Sequence, residues 1–354
     1  MSDINNFYNN QIVNGTDNVD AIDNFAEGAS VYANGGDDVI RNFYFTVTML
    51  QGNDGNDTIY NFREYSVIDG GNGNDYVGNS ASNVTILGGN DNDIFLSDSG
   101  LNFVKMYGDN SNDTIQNFSN FSTVDGGDDS DIISNYYASN VEIIGGSGND
   151  TLTNYGENVT IYGGIDDDII NNFASNVTIG GDNGNDSIYT AENLIYISVE
   201  SGAGDDTINN FSSWSTLHGG IGNDSIKSDS LASNLYISGD EGNDSIENYS
   251  YGATINGREG DDNIINYGDD CVIVYNKDQG IDTILNCGKN LVIYFPDANF
   301  EDIDMSKGMY FSDSSYVSVT ADYSYEGAGR ITYRFSNGDN YLYRGSGVYT
   351  KAAS

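Results

Sequence analysis

Aspartate closes a short glycine-rich segment over and over in this chain. It stands at Asp20, Asp38, Asp57, Asp75, Asp93, Asp113, Asp131, Asp150, Asp168, Asp186, Asp206, Asp224, Asp244, Asp262 and Asp282, at intervals of 18 to 20 residues. The fullest segments are Gly219-Gly220-Ile221-Gly222-Asn223-Asp224, Gly70 to Asp75 and Gly145 to Asp150, each followed two residues later by a large apolar residue. A carboxylate supplies negative charge, and glycines let the main chain take φ > 0 and aim carbonyl oxygens at one point. Oxygen donors in a tolerant geometry suit calcium, which takes six to eight oxygen ligands. Asp also suits turns in general. That explains scattered aspartates, but poorly explains one column of them in register.

Charge argues the same way. Lys and Arg number 12 against 54 Asp and Glu, a formal net charge of −42. Two carboxylates about 5 Å apart repel by roughly 0.8 kcal/mol in water and by about 3 at a surface-like dielectric. A dozen such pairs cost roughly 10 kcal/mol, comparable to the whole stability of a domain. The chain is expected to fold poorly without a cation. The same charge excludes nucleic acid as a partner.

The elements that position the aspartates follow from the period. Repeats of this length are stacked supersecondary units, each too short to bury its own apolar face. Each unit reads as strand, turn, strand, turn, as in Asp168-Ile169-Ile170-Asn171-Asn172-Phe173 followed by Ser175-Asn176-Val177-Thr178-Ile179. Apolar residues alternate with polar ones, the mark of half-buried strands. The inward column of the first strand runs Ile40, Ile59, Val77, Phe95, Ile115, Ile133, Leu152, Ile170, Ile188, Ile208, Ile226, Ile246 and Ile264. Pairs such as Val84/Ile86 and Val159/Ile161 supply the opposite wall. The expected fold is all-β, a right-handed parallel β-roll or β-solenoid of about 15 coils. At about 4.8 Å per coil this is a rod roughly 70 Å long.

The nonapeptide G-G-x-G-x-D-x-U-x, where U is large and apolar, resembles the hemolysin-type calcium-binding repeat of RTX proteins, over roughly residues 15–295. The resemblance implies several calcium ions, each shared by Asp side chains and turn carbonyls of adjacent coils. Carried onto this chain, the metal candidates are Gly52 and Asp57; Gly70, Gly71, Gly73 and Asp75; Gly88 and Asp93; Gly108 and Asp113; Gly126 and Asp131; Gly145, Gly146, Gly148 and Asp150; Gly163 and Asp168; Gly181, Gly184 and Asp186; Gly202, Gly204 and Asp206; Gly219, Gly220, Gly222 and Asp224; Gly239, Gly242 and Asp244; and Gly257, Gly260 and Asp262. It also implies export by type I secretion on an uncleaved C-terminal signal, to the cell surface or the extracellular space.

In chain order, repeat-like sequence starts at once, with no basic and apolar leader and no apolar run of transmembrane length. Residues 15–38 are the loosest copies, and Gly35-Gly36-Asp37-Asp38 reads as a turn two residues short. Intervals of 20 at Asp93–Asp113, Asp186–Asp206 and Asp224–Asp244 mark longer turns or bulges. The second turn departs from the family pattern: Asn recurs at Asn24, Asn42, Asn61, Asn79, Asn117, Asn135, Asn154, Asn172, Asn210, Asn248, Asn266 and Asn286. An aromatic residue commonly follows, as at Phe25, Phe43, Phe62 and Tyr136, and a second Asn recurs at 83, 140, 158, 176 and 234. Stacked neutral amides are expected to hydrogen-bond from coil to coil, and stacked rings to cover the end of the core. One edge is therefore expected to bind calcium and the other not. Rings pointing outward would instead form a carbohydrate-stacking strip.

The domain division expected is a β-roll over 1–295 and a β-rich cap over 296–354, which holds the export signal if the resemblance extends there. Asn337-Gly338 is a good hairpin turn between Arg330–Phe335 and Tyr341–Arg344. Cys271 and Cys287 lie on adjacent coils, close enough in sequence placement to leave a disulfide open.

His218 is the only histidine, and precedes a candidate metal turn, so it reads as an exposed strand-end residue. One histidine on a repeat and carboxylates everywhere make no catalytic constellation. The first function expected is a secreted calcium-binding structural or surface protein. An adhesin binding an extracellular glycan or cell surface is the alternative. Ice binding through Thr58, Thr114, Thr151 and Thr207 is weaker, because Tyr76, Ile94, Ile132 and Ile169 interrupt that rank.

Overall fold

A computed structural model describes residues 2–43, 48–276, 279–298, 303–304, 309–311, 316–321, 331–335, 340–343 and 349–351. They fall into two compact units, residues 1–178 and 179–354. Among the described residues there are strands and no helix, as the density of Gly, Asn and Asp dictates.

In residues 1–178 the chain winds as a parallel β-solenoid. Strands Ser2–Asn6, Asp20–Asn24, Val39–Asn42 and Thr58–Asn61 begin one parallel sheet, which continues to Ile169–Asn172. Ile12–Asn14, Ser30–Gly35 and Met49–Asp54 begin the other, which continues to Val159–Ile165. Register is strict, with Ile59 opposite Val77 and Val77 opposite Phe95. Ile22, Ile40, Ile59, Val77, Phe95, Ile115, Ile133, Leu152 and Ile170 are fully buried on one wall. Val31, Leu50, Ile68, Ile86, Met106, Val124, Ile143 and Ile161 are fully buried on the other. A one-residue slip would turn either wall outward, so burial fixes the register.

Residues 179–354 repeat the arrangement. Ser187–Thr190 through Ile281–Asn286 form one parallel sheet and Ile197–Ala203 through Leu291–Phe295 the other. Parallel pairing continues past residue 295. Tyr316–Ala321 pairs with Ile281–Asn286, and Ile331–Phe335 with Leu291–Phe295. Antiparallel strands follow on each, Met309–Phe311 against Tyr316–Ala321 and Asn340–Tyr343 against Ile331–Phe335. The Asn337-Gly338 turn lies outside the described residues.

Two expectations need correction. The turn before Asp38 is full length, because Ala33-Asn34 occupy its first two positions: Asn34 is opposite Asn53 and Gly35 opposite Asp54. The aromatic column does not cover the core. Phe7 and Phe62 are exposed and Phe25 and Phe43 half-exposed, while their rings stack on one another outside at 5.1–5.3 Å. The core end is closed instead by Asn and by small residues such as Ala26, Ala81, Ala138 and Ala174.

Candidate metal edge

The glycine-rich turns form one edge of each unit. The turn has six positions, ending in the column Asp. Positions two and four take φ > 0: Gly71, Gly146 and Gly220 at the second lie at 114°, 121° and 100°, and Gly73, Gly148 and Gly222 at the fourth at 110°, 114° and 144°. Asn and Asp substitute there, as at Asn53 (76°) and Asp91 (74°), because short polar side chains tolerate this region. The first-position glycine has a different reason. A Cβ at Gly52, Gly70, Gly88, Gly108, Gly126 or Gly145 would strike Oδ2 of its own turn's Asp and the carbonyl oxygen of the next coil's first residue.

The column aspartates are buried to within 2% of full burial. Their two oxygens differ. The peptide N–H of each Asp donates to Oδ1 of the Asp one coil on: Asp57 to Asp75, Asp75 to Asp93, Asp113 to Asp131 and Asp206 to Asp224, at 2.7–2.8 Å. Oδ2 of Asp38, Asp57, Asp75, Asp93, Asp113, Asp131, Asp150, Asp224, Asp244 and Asp262 is buried and receives no hydrogen bond. A buried carboxylate oxygen without a donor is costly. Here it shares an interior point with a second acceptor, the glycine carbonyl. Two acceptors meeting there require a cation or a proton between them.

Burial pushes the carboxyls far above the ordinary carboxylate range. The accepted N–H pulls each back, and neighbouring carboxylates push it further up. Asp93, Asp131 and Asp282 rise to about 8, Asp75, Asp113, Asp224 and Asp244 to about 7, and Asp38, Asp57, Asp150 and Asp262 to about 6. The metal-free site therefore favours protonation near neutral pH. A divalent ion would meet the same demand without lowering the pH, so the donor set fits calcium. Among the described residues no three His, Cys, Asp or Glu side chains converge. Most ligands must then be main-chain oxygens, which calcium accepts.

The candidate residues thus separate. First-position glycines bring a carbonyl to the Asp oxygen. Second- and fourth-position glycines, including Gly202, Gly204, Gly242 and Gly260, shape the turn and press against the preceding coil's backbone, and Gly184 holds a fourth position at φ 138°. Gly163 and Gly181 hold first positions as well. Sequence reasoning missed the fifth position. Oδ1 of Asn56, Asn74 and Asn92 accepts the peptide N–H of Asn74, Asn92 and Asn112. Asn185, Asp205, Asn223 and Asn243 repeat the ladder in residues 179–354. Its signal was the Asn or Asp that stands just before the column Asp in most coils.

The opposite edge solves the same problem without ions. Asn6, Asn24, Asn42, Asn61 and Asn79 are buried, and each Nδ2 donates to the next Oδ1 at 2.9 Å. The column resumes from Asn117 to Asn172 and from Asn248 to Asn286. Each Asn also closes its turn: the Gly156 N–H donates to Asn154 Oδ1, and Asn154 Nδ2 donates to the Gly156 carbonyl. Where Ser97, Thr190 or Ser228 replaces Asn, the interval is 20, and the added residues lie on this edge. A hydroxyl cannot make both turn-closing bonds. The second Asn column is left-handed, with φ of 55–58° at Asn83, Asn140, Asn158, Asn176 and Asn234.

Three other side chains are placed by the structure. Cys271 and Cys287 are buried thiols rather than a disulfide. His218 is half-buried, not exposed. Its Nδ1 lies 2.8 Å from Asp240 Oδ2, while Arg258 Nε lies 2.9 Å from Asp240 Oδ1. The hydrogen bond to Asp240 raises the imidazole pKa.

The model of the RTX calcium-binding nonapeptide repeat (4 copies) matches residues 49–60, 80–104, 138–157, 144–172 and 215–230. These stretches include the turns closed by Asp57, Asp93, Asp150, Asp168 and Asp224. No curated protein matches the chain. No helix among the described residues is long and apolar enough to cross a membrane. The chain thus carries RTX calcium-binding nonapeptide repeats on a parallel β-solenoid, an architecture consistent with an RTX β-roll protein.

Proposed function

We propose that this chain is a secreted structural or surface protein whose folding is driven by calcium outside the cell. The ions lie along the Asp edge, between Asp Oδ2 of one turn and main-chain oxygens of its neighbours. The column from Asp57 to Asp262, with the first-position glycines, is the ligand set. The observation that carries this reading is the buried Oδ2 facing a glycine carbonyl. A compartment poor in free calcium would leave the acidic chain extended for export. Millimolar calcium would then fold it, even at dissociation constants of about 0.1 to 1 mM. Residues 296–354 act as the terminal module and carry the export signal in this reading. The role is structural rather than catalytic.

Far-ultraviolet circular dichroism of the protein in chelator, followed by a calcium titration to several millimolar, tests it. The expected result is a coil-like spectrum that converts cooperatively to β-sheet. A β spectrum in chelator at neutral pH, unchanged by calcium, would overturn the reading.

A second reading, an adhesin for a neutral polysaccharide, is favoured by the outward rings. Tyr65, Phe103, Phe121, Tyr196 and Trp214 sit in the left-handed region at 53–62° and are more than half exposed. Bulky residues rarely adopt that conformation without a compensating gain. Trp214 is the only tryptophan, so its fluorescence reports on binding at this edge. Unchanged emission across a series of neutral oligosaccharides would count against this alternative.

A further inference from the structure

The first turn position is glycine in every coil from Gly52 to Gly257 except one, where it is Ser201. The exception falls where a side chain should not fit. In neighbouring coils a Cβ at this position would strike Asp Oδ2 and the next coil's carbonyl, as at Gly219 with Asp224 and Gly239, and at Gly239 with Asp244 and Gly257. Ser201 is nonetheless fully buried. Its Oγ donates to the Gly219 carbonyl at 2.5 Å and lies 3.2 Å from the His218 carbonyl. The hydroxyl therefore satisfies the carbonyl that corresponds to the one facing Oδ2 elsewhere.

We propose that the Ser201 hydroxyl takes the place of the metal ion between the turns 201–206 and 219–224, so that this junction closes by a hydrogen bond and binds no calcium. The inference rests on the calcium reading above. A calcium ion requires several oxygens at about 2.3–2.6 Å. At this junction the carbonyl already accepts a hydrogen bond, and the side chain fills the interior point where the other turns carry only a hydrogen. The junction also has neutral support on its far edge. There the Asp229 N–H donates to the Asn210 carbonyl at 3.0 Å, and the Ser233 N–H donates to Ser213 Oγ at 3.1 Å. One consequence is that the ion column of residues 179–354 is interrupted. Another is that the coils on either side of Ser201 stay joined when calcium is withdrawn.

Native mass spectrometry of the full chain at saturating calcium counts bound ions in the wild type, Ser201→Gly, Ser201→Ala and the converse change Gly239→Ser. Ser201→Gly is expected to bind one ion more than wild type, Ser201→Ala the same number, and Gly239→Ser one fewer. An unchanged count in Ser201→Gly would overturn the inference. So would a lost ion in Ser201→Ala, because the hydroxyl would then be a ligand. A wild type that binds no calcium would instead sink the calcium reading itself. Circular dichroism of each variant separates a lost site from a lost fold.

Discussion

Asp131 divides its work between two oxygens. Oδ1 accepts the Asp113 peptide N–H at 2.7 Å, and Oδ2 faces the Gly145 carbonyl with no donor. Asparagine could keep the first contact and turn the second into a hydrogen bond, by placing an N–H where the orphaned oxygen was. Asp131→Asn is therefore expected to lose calcium, seen as a lower stoichiometry in isothermal titration calorimetry. The same variant should be more β-structured than wild type in chelator at pH 7.5; a less ordered variant there would refute this account of Oδ2. Gly145→Ala tests the glycine. Its methyl group would meet Asp150 Oδ2 and the Gly163 carbonyl, so loss of one ion is expected, with the fold retained at high calcium. The Asp column and its glycines were legible in the sequence. The division of labour between the two oxygens was not, because spacing shows which residues stack and not which atom of each is left unmatched.

The two edges of the coil are different elements built for one purpose, to close a turn over a buried end. The Asn edge is complete in itself. Asn154 accepts from Asn135 Nδ2 and the Gly156 N–H, and donates to Asn172 and the Gly156 carbonyl. Asn154→Ala would leave several buried groups unpaired, at about 1–3 kcal/mol each before relaxation. Urea unfolding in saturating calcium should show a loss of roughly 2–4 kcal/mol; a change below about 0.5 kcal/mol would mean the ladder is dispensable. The amide ladder was readable from the recurring Asn, and the two walls from the alternation at Ile59, Val77 and Phe95. The outward rings were not readable. Period-two patterning gives the face of a strand residue, but Phe25 and Phe43 follow the strand, where the chain has begun to turn. The length of the Asp38 turn was misread because Ala33 and Asn34 do not look like the motif they replace.

For the molecule as a whole, protons and calcium compete for the same need. The column carboxyls of the metal-free fold titrate from about 6 to about 8, against about 3.9 in an unfolded chain. Between these limits the folded state binds more protons, so its stability falls as pH rises. The contribution is fully present below about pH 4 and is lost progressively towards pH 8. In chelator the chain should be β-structured near pH 4.5 and least so near pH 8, while millimolar calcium should remove the dependence across pH 6–8. Circular dichroism against pH, with and without calcium, measures both. Equal stability at pH 5 and 8 in chelator would contradict the burial of the column. Net charge alone pointed to a cation. The size of the carboxyl shifts needed the structure, because they come from burial.

The asparagine ladder also has a direction. Each amide donates to the coil that follows it and accepts from the coil before, from Asn6 to Asn79, from Asn117 to Asn172 and from Asn248 to Asn286. Parallel strands contribute little lengthwise dipole, but side-chain amides aligned in this way add, and each bond polarises the next. Each run therefore has an acceptor end toward low residue numbers and a donor end toward high ones. Coils of this kind can be duplicated or deleted in tandem without disturbing that polarity, whereas an inverted coil would set donor against donor.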